Sequence, residues 1–372
     1  MMKRQMGFTL VEFMVATLVS LIVIGIGLAM FQDSTKVNSA VTQTSDMNAN
    51  LRAGMNLIVQ DLIQTGTGIP AGGIPIPNTT DAAGCNKSNP VNRPPASLNL
   101  TFQGPNASNL GCNVILPAIE PGASLGPAVT SPDGTTAPAS DIITILYADN
   151  TLALNQKAIN GPTCANGTIT ADGSSATFDT ACVTIGSAGI AVNPGDLIMF
   201  SNVDGNCIQT VTRVNGQTLD FAAGDAFNLN GRTTTETAGT VLQLQNITNG
   251  QPDGTYPPTS ATRLWMITYY LDNTTDPQHS RLMREVNFNT PQPVAESIEY
   301  AQFLYNVADG TAIPPVQQPR VPNNDNENEL RAVNINLNAR SPMISASTMK
   351  YMRTSLGTQV ALRSMAYFNT YK

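Results

Sequence analysis

The chain has 372 residues, enough for one large or two modest domains with a substantial core. Only 12% of its residues are charged, while glycine (29) and proline (25) are plentiful, which argues for short strands and long loops rather than a helical cytosolic enzyme. The formal charge of −7 argues against a nucleic-acid partner for the chain as a whole, because phosphate binding needs basic surface.

The chain begins MMKRQMGFTLVEFMVATLVSLIVIGIGLAMF, and from Phe8 to Phe31 the only charged residue is Glu12. As a helix this run is about 36 Å long, more than a hydrocarbon core of about 30 Å. Lys3 and Arg4 precede it, so the positive-inside rule keeps the N-terminus cytoplasmic and sends the remainder across. A cleaved secretory signal would be shorter and end at a small-residue site, whereas this run ends GIGLAMFQDS. An uncleaved signal anchor is the ordinary alternative.

Glu12 is costly there, by roughly 2.5–3.5 kcal/mol at a membrane centre, and a buried carboxylate is tolerable only when paired. Cleavage before Phe8 would create an amine about one helical turn away, and low dielectric would strengthen the attraction. Such a pair could form within one chain or between neighbours. Gly25 and Gly27 weaken the helix by about 1 kcal/mol each, so any kink is expected at them.

The helical pattern continues past the apolar run. Val37, Val41, Thr44, Met47, Leu51, Met55, Ile58 and Leu62 step by three or four, whereas Asp46, Asn48, Asn50, Arg52, Gln60 and Asp61 fall largely off that stripe. The stretch GTGIPAGG from Gly66 then stops the helix. Its expected extent is Phe8 to about Thr65, roughly 87 Å, apolar all round over 8–31 and amphipathic over 32–66.

Residues 67–140 read as a long irregular segment, rich in IPAGGIPIPN, NPVNRPP and TSPDGTTAP chemistry. Strands are expected at 141–149, 195–202 and 207–221, the last containing a hairpin turn at Asn215-Gly216. Further strands are expected at 240–247, 263–272, 281–288, 296–307 and 329–341, before TSLGTQVALRSMAYFNTY closes the chain. The expectation is an α+β fold, a long N-terminal helix packed on an antiparallel sheet head over 67–372, with a loop-rich insertion at about 67–255.

Cys85, Cys112, Cys164, Cys182 and Cys207 include no C-x-x-C spacing, so neither a zinc ribbon nor a thioredoxin-type site is suggested. In an oxidising compartment two disulfides and one thiol are expected. Several pairings are open, and the sequence-local ones, Cys85 with Cys112 and Cys164 with Cys182, come first. The single histidine, His279, lies between two strand patterns and reads as a turn residue. No G-x-S-x-G, H-E-x-x-H or P-loop is present, so neither catalysis nor a cofactor is expected. Asp325, Glu327 and Glu329 offer oxygen ligands but lack the EF-hand glycine and distal glutamate, so a solvated loop is expected and no metal site.

The leader MKRQMG/FTLVE resembles the class III leader of type IV pilins and type II secretion pseudopilins. The resemblance rests on Gly7, Phe8, Thr9, Leu10 and Glu12 in place before an apolar helix. It implies cleavage of residues 1–7 between Gly7 and Phe8 by prepilin peptidase and methylation of the Phe8 amine. It also implies an assembly charge pair between Glu12 and the Phe8 amine of a neighbouring subunit. LRAGMNLIVQDLIQTG, the ITYYLD and RLMREV pair, VAESIEYAQFLYN and RAVNINLNARS are similar to the PilW-like minor pilins and J-type pseudopilins. The implied location is the bacterial inner membrane, head in the periplasm, and then a filament with other major and minor pilins.

Overall fold

A computed structural model describes residues 9–70, 72–77, 91–102, 115–149, 158–159, 161, 163–186, 191–230, 239–276, 279–307, 317–318, 330–345 and 349–366. Gly7, Phe8, Cys85, Cys112, Asp325, Glu327 and Glu329 lie outside them. The architecture is α+β: one long N-terminal helix laid on a predominantly antiparallel head.

Helix α1 (Leu10–Gln64) has 55 residues and runs unbroken through Gly25 and Gly27. Every residue from Thr9 to Ser39 is exposed, and an 18-residue window in this apolar half is long and hydrophobic enough to cross a membrane. Burial starts at Gln43, where the head begins. Met47, Leu51, Met55, Ile58 and Leu62 are buried as their spacing predicts, but Val37 and Val41 lie before the head begins and stay exposed, as does Thr44, whose hydroxyl lies 3.9 Å from Met352 Sδ. Gln43, Gly54 and Asp61 join the buried face. At Gly54 the helix and sheet approach so closely that a Cβ would stand 3.0 Å from Leu282 Cδ2 and 3.1 Å from Ala295 Cβ.

Within the segment expected to be irregular, β1 (Ile119–Gly122) pairs with β2 (Ile142–Ala148), a strand buried along its whole length. Then come β3 (Thr168–Ile169), β4 (Ser175–Thr177), β5 (Leu197–Asn202), β6 (Gly205–Thr210), β7 (Arg213–Asn215) and β8 (Thr218–Asp220). The β7–β8 turn carries Gly216 at φ +57°, as the Asn-Gly pair predicts. The order β3-β4-β8-β7 makes a small separate sheet.

Residues 240–247 depart from expectation. They hold one 3₁₀ turn, Val241–Leu244, whose N–H at Leu242 is capped by the Thr240 hydroxyl, instead of a strand. Val241, Leu242 and Leu244 are all buried, and the turn returns the Gln243 and Gln245 N–H groups to Thr240 O and Leu242 O instead of to a neighbouring strand.

The centre of the head is β9 (Thr259–Asp272), 14 residues long. Residues 260–264 pair with β5, 264–269 with β2, and 267–272 with β10 (Arg281–Val286). Next come β11 (Gln292–Glu296), β12 (Ile298–Val307), β13 (Leu330–Ile344), β14 (Tyr351–Ala361) and a single helical turn, α2 (Arg363–Ala366). Strands β12, β13 and β14 pair in that order into a second sheet, and α1 crosses β11, β13 and β14.

Two large apolar cores result, beside a small cluster of Ile142, Tyr270 and Met283. The main one joins Leu51, Met55, Ile58 and Leu62 of the helix to both large sheets. The second lies wholly within 159–261 and is built from residues such as Phe178, Phe200, Leu219, Phe221 and Tyr256. The later part of the expected insertion therefore forms a subdomain with a core of its own, whereas the earlier part, with Ile74, Phe102 and Ile119, belongs to the main core. Strand β9 belongs to both, with Ala261 in the second core and Tyr269 in the first.

Candidate functional site

At the start of the helix, Thr9 and Glu12 close a capping box. The Glu12 carboxylate accepts from the Thr9 N–H and hydroxyl, both at 3.0 Å, and the Glu12 N–H donates to Thr9 Oγ1 at 3.3 Å. This satisfies backbone donors that the first helical turn leaves without partners. Its carboxylate thus has a local use that the expected pairing with the Phe8 amine did not include. Phe8 itself lies outside the described residues.

The other end of the helix carries the most developed polar site. Asp61 is buried on the face that packs against the sheet. Arg284 of β10 donates to it from Nε at 2.7 Å and from Nη2 at 3.2 Å. Tyr269 of β9 donates to Oδ2 at 2.5 Å, and Tyr147 of β2 to Oδ1 at 3.3 Å. Burial and then the Asp61 charge push the Tyr147 hydroxyl up to about 12 and raise Tyr269 as well, so both remain donors at physiological pH. Burial works to lower the Arg284 guanidinium, but Asp61 outweighs it and raises the net value. Three strands thus grip one helical carboxylate.

Sequence reading placed Asp61 off the stripe because it is polar. The available signal was its spacing, three residues after Ile58 and one before Leu62, together with Arg284 in the middle of the strand RLMREV.

Other buried cations hold the head together. Arg93 donates to Thr144 Oγ1, Pro121 O and Glu120 O at 2.7–3.0 Å, and burial lowers its guanidinium despite Glu120 beside it. Arg263 lies over Trp265, 4.4 Å from the ring centroid, and pairs with Asp149 and with Asp196, the latter at 3.4 Å. Glu299 is shared by Arg340 and Arg353, at 3.1 and 2.8 Å.

A disulfide joins Cys164 to Cys182 in the subdomain, as the sequence-local pairing predicts. Cys207 is buried in the second core and is not part of that bond. His279 is a turn residue whose Nδ1 lies 2.9 Å from Asp276. It borders a cleft of about 520 Å³ between the helix and the sheet ends, with Asp46, Arg281, Glu296 and Arg340. A wider groove of about 710 Å³ opens on the subdomain between Asp172, Asn230, Gln245 and Asp253. Among the described residues no three His, Cys, Asp or Glu side chains are grouped to hold a metal ion.

No family model, curated protein or solved structure matches the chain.

Proposed function

We propose that the chain is a minor pilin of the PilW-like kind, which enters the inner membrane, is processed by prepilin peptidase, and joins or primes a type IV pilus. The observation that carries this reading is the division of labour along α1. Its first half is apolar on every side and untouched by the head, while its second half is built into the head's core. A helix of that form can pass from lipid into a filament core without disturbing the fold. The leader residues Gly7 and Phe8 and the charge at Glu12 supply the processing and pairing chemistry. The working parts are then the helix and its charge pair, and the protein catalyses nothing.

Mass spectrometry of the N-terminus from cells with and without the peptidase tests this directly. A methylated Phe8 is expected only where the peptidase is present, and an intact Met1 in both would sink the assignment.

Two other readings are retained. A J-type pseudopilin of type II secretion would use the same helix and processing in a shorter filament, and the genetic neighbourhood separates the two. A membrane-anchored binding protein is favoured by one observation, the subdomain with its own core and a groove of about 710 Å³. Retention of residues 1–7 would favour it.

A further inference from the structure

Strand β14 is the outer strand of the second sheet and pairs only with β13. Its even-numbered residues turn their backbone toward that partner. The Met352 N–H donates to Ser341 Oγ at 3.1 Å and the Leu362 N–H to Arg331 O at 2.8 Å, both acceptors on β13. Strand alternation turns the N–H and C=O of Arg353, Ser355, Gly357, Gln359 and Ala361 the other way. None of these five has a backbone partner on that side among the described residues.

This open ladder is about 27 Å long. It has no proline and no register shift from 353 to 361, and its only charge, Arg353, is held by Glu299 and Asp133. The devices that keep a sheet edge from pairing with another chain are therefore missing here.

The helix shapes what can lie beside the edge. Thr44 meets Met352 and Thr67 meets Ser364, so β14 runs alongside α1 in the same direction. At about 100° per residue, Val59, Arg52 and Ile63 stand roughly 60–100° round the helix from Thr44. Gly54, which faces β10 and β11, lies on the opposite flank. The Arg52 flank is thus beyond β14, where one more strand would aim its inward side chains. Val59 is partly buried there and Ile63 is 56% exposed. Arg52 is about 12 Å along the axis from Thr44, level with Leu356.

Charge defines the occupant. Arg52 and Arg363 are exposed and make no ion pair among the described residues. From Leu330 to Lys372 there are six Lys or Arg and no Asp or Glu, in a chain whose net charge is −7. An acidic segment is attracted to this edge and a basic one repelled. A second copy fits poorly. Its β14, added antiparallel, would send its apolar half-helix the opposite way, which two chains in one bilayer cannot do.

We propose that β14 receives an extended acidic segment of another protein as an added antiparallel strand, with residues 353–361 supplying the ladder. Apolar side chains of that segment cover Val59 and Ile63, and a carboxylate meets Arg52. The contact belongs to the head and stands apart from leader cleavage and the pilin reading.

The test uses the detergent-solubilised full chain and a fluorescein-labelled peptide, VTETVTETV, followed by anisotropy. Its valines and glutamates share the face that would lie toward α1, and its threonines carry the N–H groups that would meet β14. Saturable binding is expected. The lysine counterpart VTKTVTKTV should bind at least tenfold more weakly, and VTETVTETV N-methylated at its threonines should not bind. Ser355→Pro and, separately, Gly357→Pro each remove an outward N–H that an edge strand can do without. Each should keep the wild-type Tm and weaken binding at least tenfold. Arg52→Glu, which leaves the strand untouched, should reverse the preference between the two peptides. No binding at about 1 mM peptide, or equal binding of the N-methylated form, would overturn the proposal. So would binding that appears only when residues 367–372 are removed, which would give the edge to the chain's own terminus. A concentration-dependent dimer abolished by Ser355→Pro would give it to a second copy and overturn the proposal likewise.

Discussion

Arg284 donates to Asp61 through two nitrogens, which places a charge pair between the last turns of a 55-residue helix and the middle of the sheet. The apolar contacts of Leu51, Ile58 and Leu62 set how closely the helix lies on the sheet, and this pair, with its two tyrosines, fixes where along its length it sits. Removing Asp61 leaves a largely buried Arg284 and two tyrosine hydroxyls without their shared acceptor. Asp61→Ala is therefore expected to destabilise the head by about 3 kcal/mol, read as a lowered Tm of the detergent-solubilised chain. The double variant Asp61→Leu with Arg284→Met should recover much of the loss, because no buried charge remains.

Glu285 lies next in sequence to Arg284 but is 3% exposed and has no cationic partner among the described residues. The Tyr270 hydroxyl donates to it, and Oε2 has no hydrogen-bond partner among the described residues. Burial pushes the carboxyl from 4.5 up to about 7. The folded chain then holds this proton between about pH 4.5 and 7 while the unfolded chain has released it, so stability falls as pH rises through that window. The fall should be on the order of 3 kcal/mol and complete above pH 7. Glu285→Gln is expected to flatten the slope and to stabilise the head at pH 8, checked by chemical denaturation at a series of pH values.

Gly54 is a test of packing against propensity. Alanine would gain about 1 kcal/mol of helix preference but place its Cβ at 3.0–3.1 Å from Leu282 and Ala295, so the two effects nearly cancel. Valine cannot be accommodated there. Gly54→Val should cost about 2–3 kcal/mol in thermal unfolding, and a Leu282→Ala change in the same chain should relieve part of it.

The subdomain's disulfide closes a loop with a sequence separation of 18, which stabilises by about 3 kcal/mol in the chain-entropy view. Because that loop and its core lie within 159–261, the loss in Cys164→Ser with Cys182→Ser should be local. Hydrogen exchange is expected to quicken in β3, β4 and β8 while the amides of Leu51–Leu62 keep their protection.

Glu12 caps the helix, and the proposed function would give it a second use in charge pairing; the two can be separated. Glutamine closes a capping box as glutamate does but carries no charge. If pairing governs assembly, Glu12→Gln should fail to incorporate into filaments as completely as Glu12→Ala, while inserting and being processed normally. Immunoblotting of sheared filaments checks this, and wild-type incorporation of the glutamine variant would assign the residue to capping alone.

Much of this was legible in the residues because it depends on local period. The helix, its apolar half, the 3.6-period face from Met47 to Leu62 and the long strands ITYYLD, RLMREV and RAVNINLNARS all follow from spacing. What escaped was non-local. Asp61 reads as a surface aspartate until Tyr147, Tyr269 and Arg284 arrive from 86, 208 and 223 residues away. VLQL reads as a strand until the second core takes up Val241 and Leu244. The exposure of Val37 and Val41 depends on where the head begins, and no helical period records that.

The length of β9 has a mechanical consequence. One covalent segment begins in the core of the added subdomain and ends beside the tyrosine that holds Asp61. Tension applied to the subdomain would run down that strand and load its ladders with β2, β5 and β10 in shear, many hydrogen bonds at once, before reaching the helix through Tyr269. A pull on the subdomain is thus delivered to α1 through Tyr269, with no loop between them to stretch.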